Sequence, residues 1–167
     1  MPFDKYVKLP GSEREPLSGA TKSGPVDPNE AIQVTLTLRP RAAGANQPSL
    51  DKLVASGQRI SREEFAASYG ADPKDIQTVR QFATAYGLAV AQVDQSASTV
   101  VLTGKTGDFA KAFQVELARY KYAGGSYRGR TGPISVPTEL SKIVTGVFGL
   151  DDRPQAESHS RVAPIRR

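Results

Sequence analysis

The stretch "AIQVTLTLRP", residues 31–40, constrains the fold more than any other. Ile32, Val34, Leu36 and Leu38 alternate with Gln33, Thr35, Thr37 and Arg39. A period of two, rich in β-branched residues, marks a half-buried strand with one dry and one wet face. Pro40 stops it, because proline has no N–H for the ladder. The rest of the chain must supply an apolar layer for one face only. Solvent or a partner has to cover the other.

Helix signals follow a loop over "RAAGANQPS", and Leu50, Leu53 and Val54 suggest a short helix. In "ISREEFAASYG", Ser61 is a candidate N-cap and Glu64 stands at the capping-box spacing. Ile60 and Phe65 sit where a hydrophobic staple would place them, and Gly70 fits a left-handed C′ position. In "ADPKDIQTVRQFATAYGL", Asp72 caps and Pro73 takes the first helical position. Ile76, Val79, Phe82, Ala83 and Tyr86 form one apolar stripe, Gly87 ends the helix, and Leu88 can fold back on it.

"LAVAQVDQ" and "STVVLTG" read as short strands joined by a tight polar turn, and "TGDFAKAFQ" as a short helix. "VELARYKY" alternates again and "AGGS" turns it into "YRGR". "VPTELSKIVTGVFGL" reads as helical, with Leu140, Ile143, Val144 and Val147 on one side. The expected class is therefore α+β: a ferredoxin-like split βαβ antiparallel sheet with helices on one face, plus an added hairpin and C-terminal helix. The expected organisation is an extended or disordered N-terminal arm over 1–30, a domain over 31–150 and an extended strip over 151–167.

Composition excludes several chemistries. There is no cysteine, so disulfides, thiolate metal sites and cysteine nucleophiles are ruled out. The single histidine, His159, lies in the terminal strip and has no rigid partner for triad chemistry. No spacing supports a metal site, and no cofactor is expected. "GKTG" at 104–107 lacks the leading glycine of a phosphate loop, since position 99 is Thr, and reads as a strand-to-helix turn. The net charge of +5 is scattered, so nucleic acid is not an expected partner. No segment is long enough to cross a bilayer, and "MPFDKYVKLPGSEREP" has no apolar signal-peptide core. Tyr120, Tyr122 and Tyr127, with Arg128, cluster around the hairpin. Cross-strand packing is the first explanation, and a docking face for a protein partner the second.

Several ordered blocks resemble one family. "REEFAASYGADPKDIQTVRQFATAYGL", "STVVLTGKTGDFAKAFQVELARY", "YRG" and "VPTELSKIVTGVFGLDDRP" are similar to the activation pro-domain of sedolisins, the kumamolisin-type serine-carboxyl peptidases. The resemblance runs from about Ile32 to Pro154, and the stretch before Val26 carries no match. It implies a pro-domain that inhibits an acid peptidase, assists its folding and is removed by acid-triggered autoprocessing. It also implies a catalytic domain in cis as partner, and a secreted or extracellular protein. The family's Ser-Gly-Thr-Ser nucleophile motif is absent, so this chain is expected to be non-catalytic.

Under that resemblance the terminal "GLDDRPQAESHSRVAPIRR" gains a role. Extended, residues 151–167 would reach about 55 Å, enough to cross a cleft. Asp151, Asp152, Arg153, Pro154, His159, Arg161, Arg166 and Arg167 are the candidate linker and processing residues. Asp151 and Asp152 are candidate acid-sensitive partners, and Arg153 a candidate partner of enzyme carboxylates. His159 is a candidate first-stage sensor, although a lone solvated histidine is the commoner case. The competing reading is a stand-alone ferredoxin-like module binding protein or nucleic acid. An acylphosphatase-like enzyme would need a phosphate cradle with a positioned arginine, which is not evident.

Overall fold

In chain order the elements are β1 (Tyr6–Lys8), β2 (Thr21–Pro25), β3 (Ala31–Leu38), α1 (Leu50–Ser56), α2 (Arg62–Tyr69), α3 (Pro73–Ala85) and β4 (Ala89–Asp94). They continue with β5 (Thr99–Lys105), α4 (Thr106–Ala112), β6 (Ala118–Tyr122), β7 (Gly125–Gly129), β8 (Ser135–Pro137) and β9 (Val144–Phe148). The computed structural model describes residues 3–41 and 50–154. Over those residues the protein is mixed α+β with antiparallel sheets.

β3 lies inside the main sheet, whose order is β4-β5-β3-β9. Its alternation is realised side chain by side chain: Ile32, Val34, Leu36 and Leu38 are buried, while Gln33 is exposed and Thr35 and Thr37 are half-buried. Facing the dry side, Val79 and Phe82 of α3, Phe109 of α4 and Phe113 pack with Val100 and Leu102 of β5 in one cluster. Phe82 meets Phe3 edge-on at 5.7 Å and Phe113 at 5.5 Å between ring centroids.

The helix starts follow the sequence closely. Ser61 Oγ accepts from the Glu64 amide at 3.1 Å, and Glu64 Oε2 accepts from the Ser61 amide at 3.0 Å, completing the capping box. Asp72 Oδ1 accepts from the Lys74 amide, with Pro73 opening α3. At the other end Gly87 is left-handed (φ +71°), and the Leu88 amide donates back to the Ala83 carbonyl at 2.8 Å. Leu88 is thereby returned to the core.

Gly70 departs from expectation. It is extended (φ −75°, ψ −177°), not left-handed. Close approach accounts for the glycine instead: a Cβ here would stand 2.6 Å from the Ala66 carbonyl oxygen and press on the backbone of Gln95.

The segment expected to be a C-terminal helix is mostly not helical. β8 pairs with β1, two successive hydrogen-bonded turns close on the Pro137 and Leu140 carbonyls, and β9 then pairs with β3. The helical spacing was produced by a bulge. Leu36 pairs with Val147 and Leu38 with Val144, with Thr145 left over as the extra residue. Val144 and Val147 therefore face the core together although they are three apart, and Leu140 and Ile143 are buried by the turns. The β-branched run Ile143–Val144–Thr145 followed by Gly146 disfavours helix, and the free edge of β3 offers pairing. β4 carries a matching irregularity at Ala91, which brings Val90 and Val93 to the same dry side.

The fourth strand of the main sheet is thus β9, not the "VELARYKY" strand expected there. That strand, β6, is central to a second sheet ordered β2-β6-β7. Leu117 goes to the main core, while Ala118 and Tyr120 turn to a separate cluster with Tyr127. Residues 3–30 run along the body: β1 and β2 join sheets, and Phe3, Leu9 and Val26 enter the main core.

Candidate docking face and linker root

The wet side of the main sheet presents Gln33, Thr35 and Thr37 of β3 and Thr99, Val101 and Thr103 of β5, none of them buried. Phe148 of β9, paired with Thr35, is 56% exposed. Its ring lies over Gly146, where a Cβ would come within 2.7 Å of it. A large aromatic left in water beside short Thr and Val side chains forms a flat, weakly polar surface suited to a partner.

After Phe148 the chain leaves the sheet through Gly149, left-handed at φ +108°. Leu150 is a buried anchor. From there the chain is held against β7. The Asp152 amide donates to the Arg128 carbonyl at 2.9 Å, and Asp152 Oδ1 accepts from the Arg128 amide. The Arg128 guanidinium, itself buried, donates from Nε to the Leu150 carbonyl (2.9 Å) and from Nη2 to the Gly149 carbonyl (3.0 Å). Its Nη1 meets Glu30 Oε1 at 3.3 Å and Asp152 Oδ2 at 3.6 Å. Arg119 holds the other oxygen of Glu30 at 2.9 Å.

One residue further on, Arg153 grips Asp151. Nη2 donates at 2.7 Å and Nε at 2.9 Å, and the Arg153 amide adds a third bond at 2.9 Å. The guanidinium also lies over the Tyr127 ring, 5.2 Å from its centroid, and donates to the Glu15 carbonyl at 2.8 Å. Burial pushes the Asp151 carboxyl up, but the bonds from Arg153 and the charges of Arg153 and Arg14 outweigh it and hold the group below its ordinary value. Hydrogen bonding to Asp151 raises the Arg153 guanidinium against a smaller opposing burial effect.

The structure therefore separates the candidate residues. Asp151 and Arg153 are locked to each other, Asp152 joins Arg128, and Pro154 is exposed. His159, Arg161, Arg166 and Arg167 lie outside the described residues. Tyr120 and Tyr127 pair directly and stack at 5.3 Å, and both are buried. The Tyr127 hydroxyl accepts from the Leu17 amide at 3.0 Å. Tyr122 alone of the three rings is half-buried, so most of this aromatic surface is spent inside the protein. Sequence reasoning did not single out Glu30, Arg14, Arg130 or Phe148. The alternation of Arg128 and Arg130 in "YRGR" was a usable signal, because residues two apart share a strand face. At "GKTG", the Thr106 and Gly107 amides donate to the Glu30 and Pro28 carbonyls, as in an ordinary strand-to-helix turn.

Comparison with known proteins gives the family. The family model "Pro-kumamolisin, activation domain" matches residues 18–153. The chain belongs to this family of activation domains. It is 34% identical over 163 residues to kumamolisin of Bacillus sp. (strain MN-32), a match covering 95% of this chain and 30% of that protein. It is 29% identical over 164 residues to tripeptidyl-peptidase sed5 of Aspergillus fumigatus, covering 87% and 28% respectively. With sedolisin of Pseudomonas sp. (strain 101) it shares 26% identity over 125 residues, covering 75% and 21%. The chain thus spans less than a third of the length of these curated relatives, in their N-terminal portions. The family match begins at Ser18 and so includes β2, ahead of the resemblance read from sequence.

Proposed function

We propose that this chain is the pro-region of a sedolisin-type peptidase, that it binds the catalytic domain through the wet face of the main sheet, and that it is itself non-catalytic. The carrying observation is a family-matched domain whose sheet leaves one face uncovered and weakly polar, with Phe148 exposed on it. On this reading β3, α3, β4, β5, α4 and β9 form a ferredoxin-like split βαβ unit with β9 as its fourth strand. An interface of standard size buries about 800 Å² on each partner, and a four-stranded face is broad enough to offer it. An extended strip following the linker root would bind a cleft through backbone hydrogen bonds.

Tethering in one chain would raise the effective concentration to the order of millimolar, so modest contacts suffice for inhibition. A bound face that fits only the folded enzyme would also favour its folding. Removal in acid follows from carboxylates, which lose their charge near pH 4 in model peptides. Release would accompany export of the whole protein to an acidic exterior.

The test is titration of the chain against mature kumamolisin and sedolisin. Inhibition saturating at one chain per enzyme is expected. Thr35→Arg, on the half-buried wet face opposite Phe148, is expected to weaken it by about tenfold or more while leaving the chain folded. No inhibition of either enzyme, or equal inhibition by Thr35→Arg, would overturn the docking assignment.

A further inference from the structure

Beside the linker root lies a recess that the proposed docking does not by itself explain. Two adjoining cavities of about 410 and 190 Å³ share Arg14, Arg130, Val147 and Phe148 in their walls. Arg130 is only 5% exposed. Its Nη1 donates to the Gly132 carbonyl at 2.6 Å, yet among the described residues no carboxylate stands within ion-pair distance of it. Arg14 and Arg153 line the same larger cavity. Among the described residues Asp151 is the one acid in the wall of the larger cavity, where it is committed to Arg153 with Arg14 only at 3.9 Å, and Glu13 stands in the wall of the smaller. In the larger cavity three guanidinium groups therefore share a wall with one already engaged carboxylate. Burial makes the Arg130 cation costly to keep, and the charges of Arg14 and Arg153 add to that cost while Asp151 offsets part of it. A buried cation whose nearby counter-charge is already committed elsewhere is costly, and a further anion would offset that cost.

The recess opens along Thr145, Gly146 and Phe148, the β9 border of the wet face. A partner seated on that face would close the recess from above. We propose that the Arg14–Arg130 recess takes one carboxylate side chain projecting from the peptidase surface that docks on β3 and β9, an inference that rests on the docking reading above. The planar fork of Arg130 matches a carboxylate in two-point contact, and Phe148 shields the pair from water. The site would add specificity: a partner with a neutral or basic group there would leave a buried cation unpaired.

Two arms test this with the 167-residue chain. In the first, acetate is titrated against chloride at equal ionic strength and the arginine Nε–H signals are followed by NMR. A saturable shift of Arg130 in the millimolar range, absent from the remaining signals of Arg130→Gln, supports the site. No acetate-specific shift overturns it. In the second, binding to mature kumamolisin is measured by calorimetry near pH 6, where carboxylates are charged. Arg130→Gln, which keeps a donor for the Gly132 carbonyl, is expected to weaken binding about tenfold. Arg14→Gln, exposed enough to leave the fold untouched, is expected to weaken it about threefold and serves if Arg130→Gln unfolds. Wild-type binding that neither substitution changes overturns the carboxylate site and leaves the docking reading standing. If the wild type does not bind, the docking reading fails, and the acetate arm still decides whether the recess holds an anion.

Discussion

Around Phe82 the neighbours are apolar: Phe3, Phe113 and Val79, with Leu36 and Val100 in the same cluster. Around Arg128 they are carboxylates and carbonyls: Glu30, Asp152, Gly149 and Leu150. The main sheet is closed by area removed from water, which acid does not alter. The start of the terminal strip is fixed by charge, which acid does alter. A pro-region that must stay folded while its tether loosens would need that division. The last described residues, Asp151–Pro154, leave the body from the charged region rather than the apolar one.

The largest effect should come from the apolar side. Phe82→Ala empties a fully buried position at the junction of three rings and should cost about 3–5 kcal/mol. Urea denaturation should show the same loss at neutral pH and in mild acid. A loss that depended strongly on pH would mean that the two regions share one electrostatic framework, and the contrast would fall.

Arg128→Met should do less. It removes four polar contacts, but Glu30 and Asp152 are partly exposed, at 31% and 45%, and can rehydrate. The expected cost is about 1–3 kcal/mol, below that of breaking a fully buried pair. The damage should be local. Amide exchange should quicken at Arg128 and Asp152 while the amides of β3 and β5 keep their protection relative to global unfolding. Uniform acceleration across both sheets would show that the linker root is part of the main cooperative unit.

The same contrast explains what the sequence made legible. β3, the capping box at Ser61, the Asp72–Pro73 start and the Gly87 stop are local devices, each complete within a few residues. β9 was hidden because its bulge at Thr145 gives two core valines a helical spacing. Only the open edge of β3, more than a hundred residues away in the chain, decides between the two structures. The linker root was harder still. Glu30, Arg128 and Asp152 belong to three distant segments, and Arg14 reaches Asp151 from the N-terminal stretch. Alternation in "YRGR" can flag two arginines two apart, but charge pairs between distant segments carry no periodicity, so alternation and capping rules do not find the acids they meet. The tyrosines were legible in both respects: their clustering was visible, and the pairing of Tyr120 with Tyr127 is the cross-strand packing expected first.

The smallest effect, and the one that reports most directly on the charged region, concerns Asp151. Its side chain is 5% exposed and faces Arg153 and Arg14, with Arg130 nearby. Asp151→Asn keeps the shape and removes the charge, so near pH 7 it should cost about 1.5–2 kcal/mol, the low end of the range for hydrogen bonds to a charged group. The carboxyl is held below its ordinary value, so the native state releases this proton more readily than the unfolded chain does. Stability from the ion pair is therefore complete above the unfolded value of about 3.9 and drains away as pH falls through the lower folded value. The asparagine variant has nothing to lose there, and the two stability curves should converge in that acid window. A gap of constant size would assign Asp151 a role through shape and hydrogen bonding alone. A gap that widened in acid would mean that burial, not Arg153, governs the carboxyl. In either case acid could not loosen the tether at this residue, and the trigger would have to lie at the partner's surface.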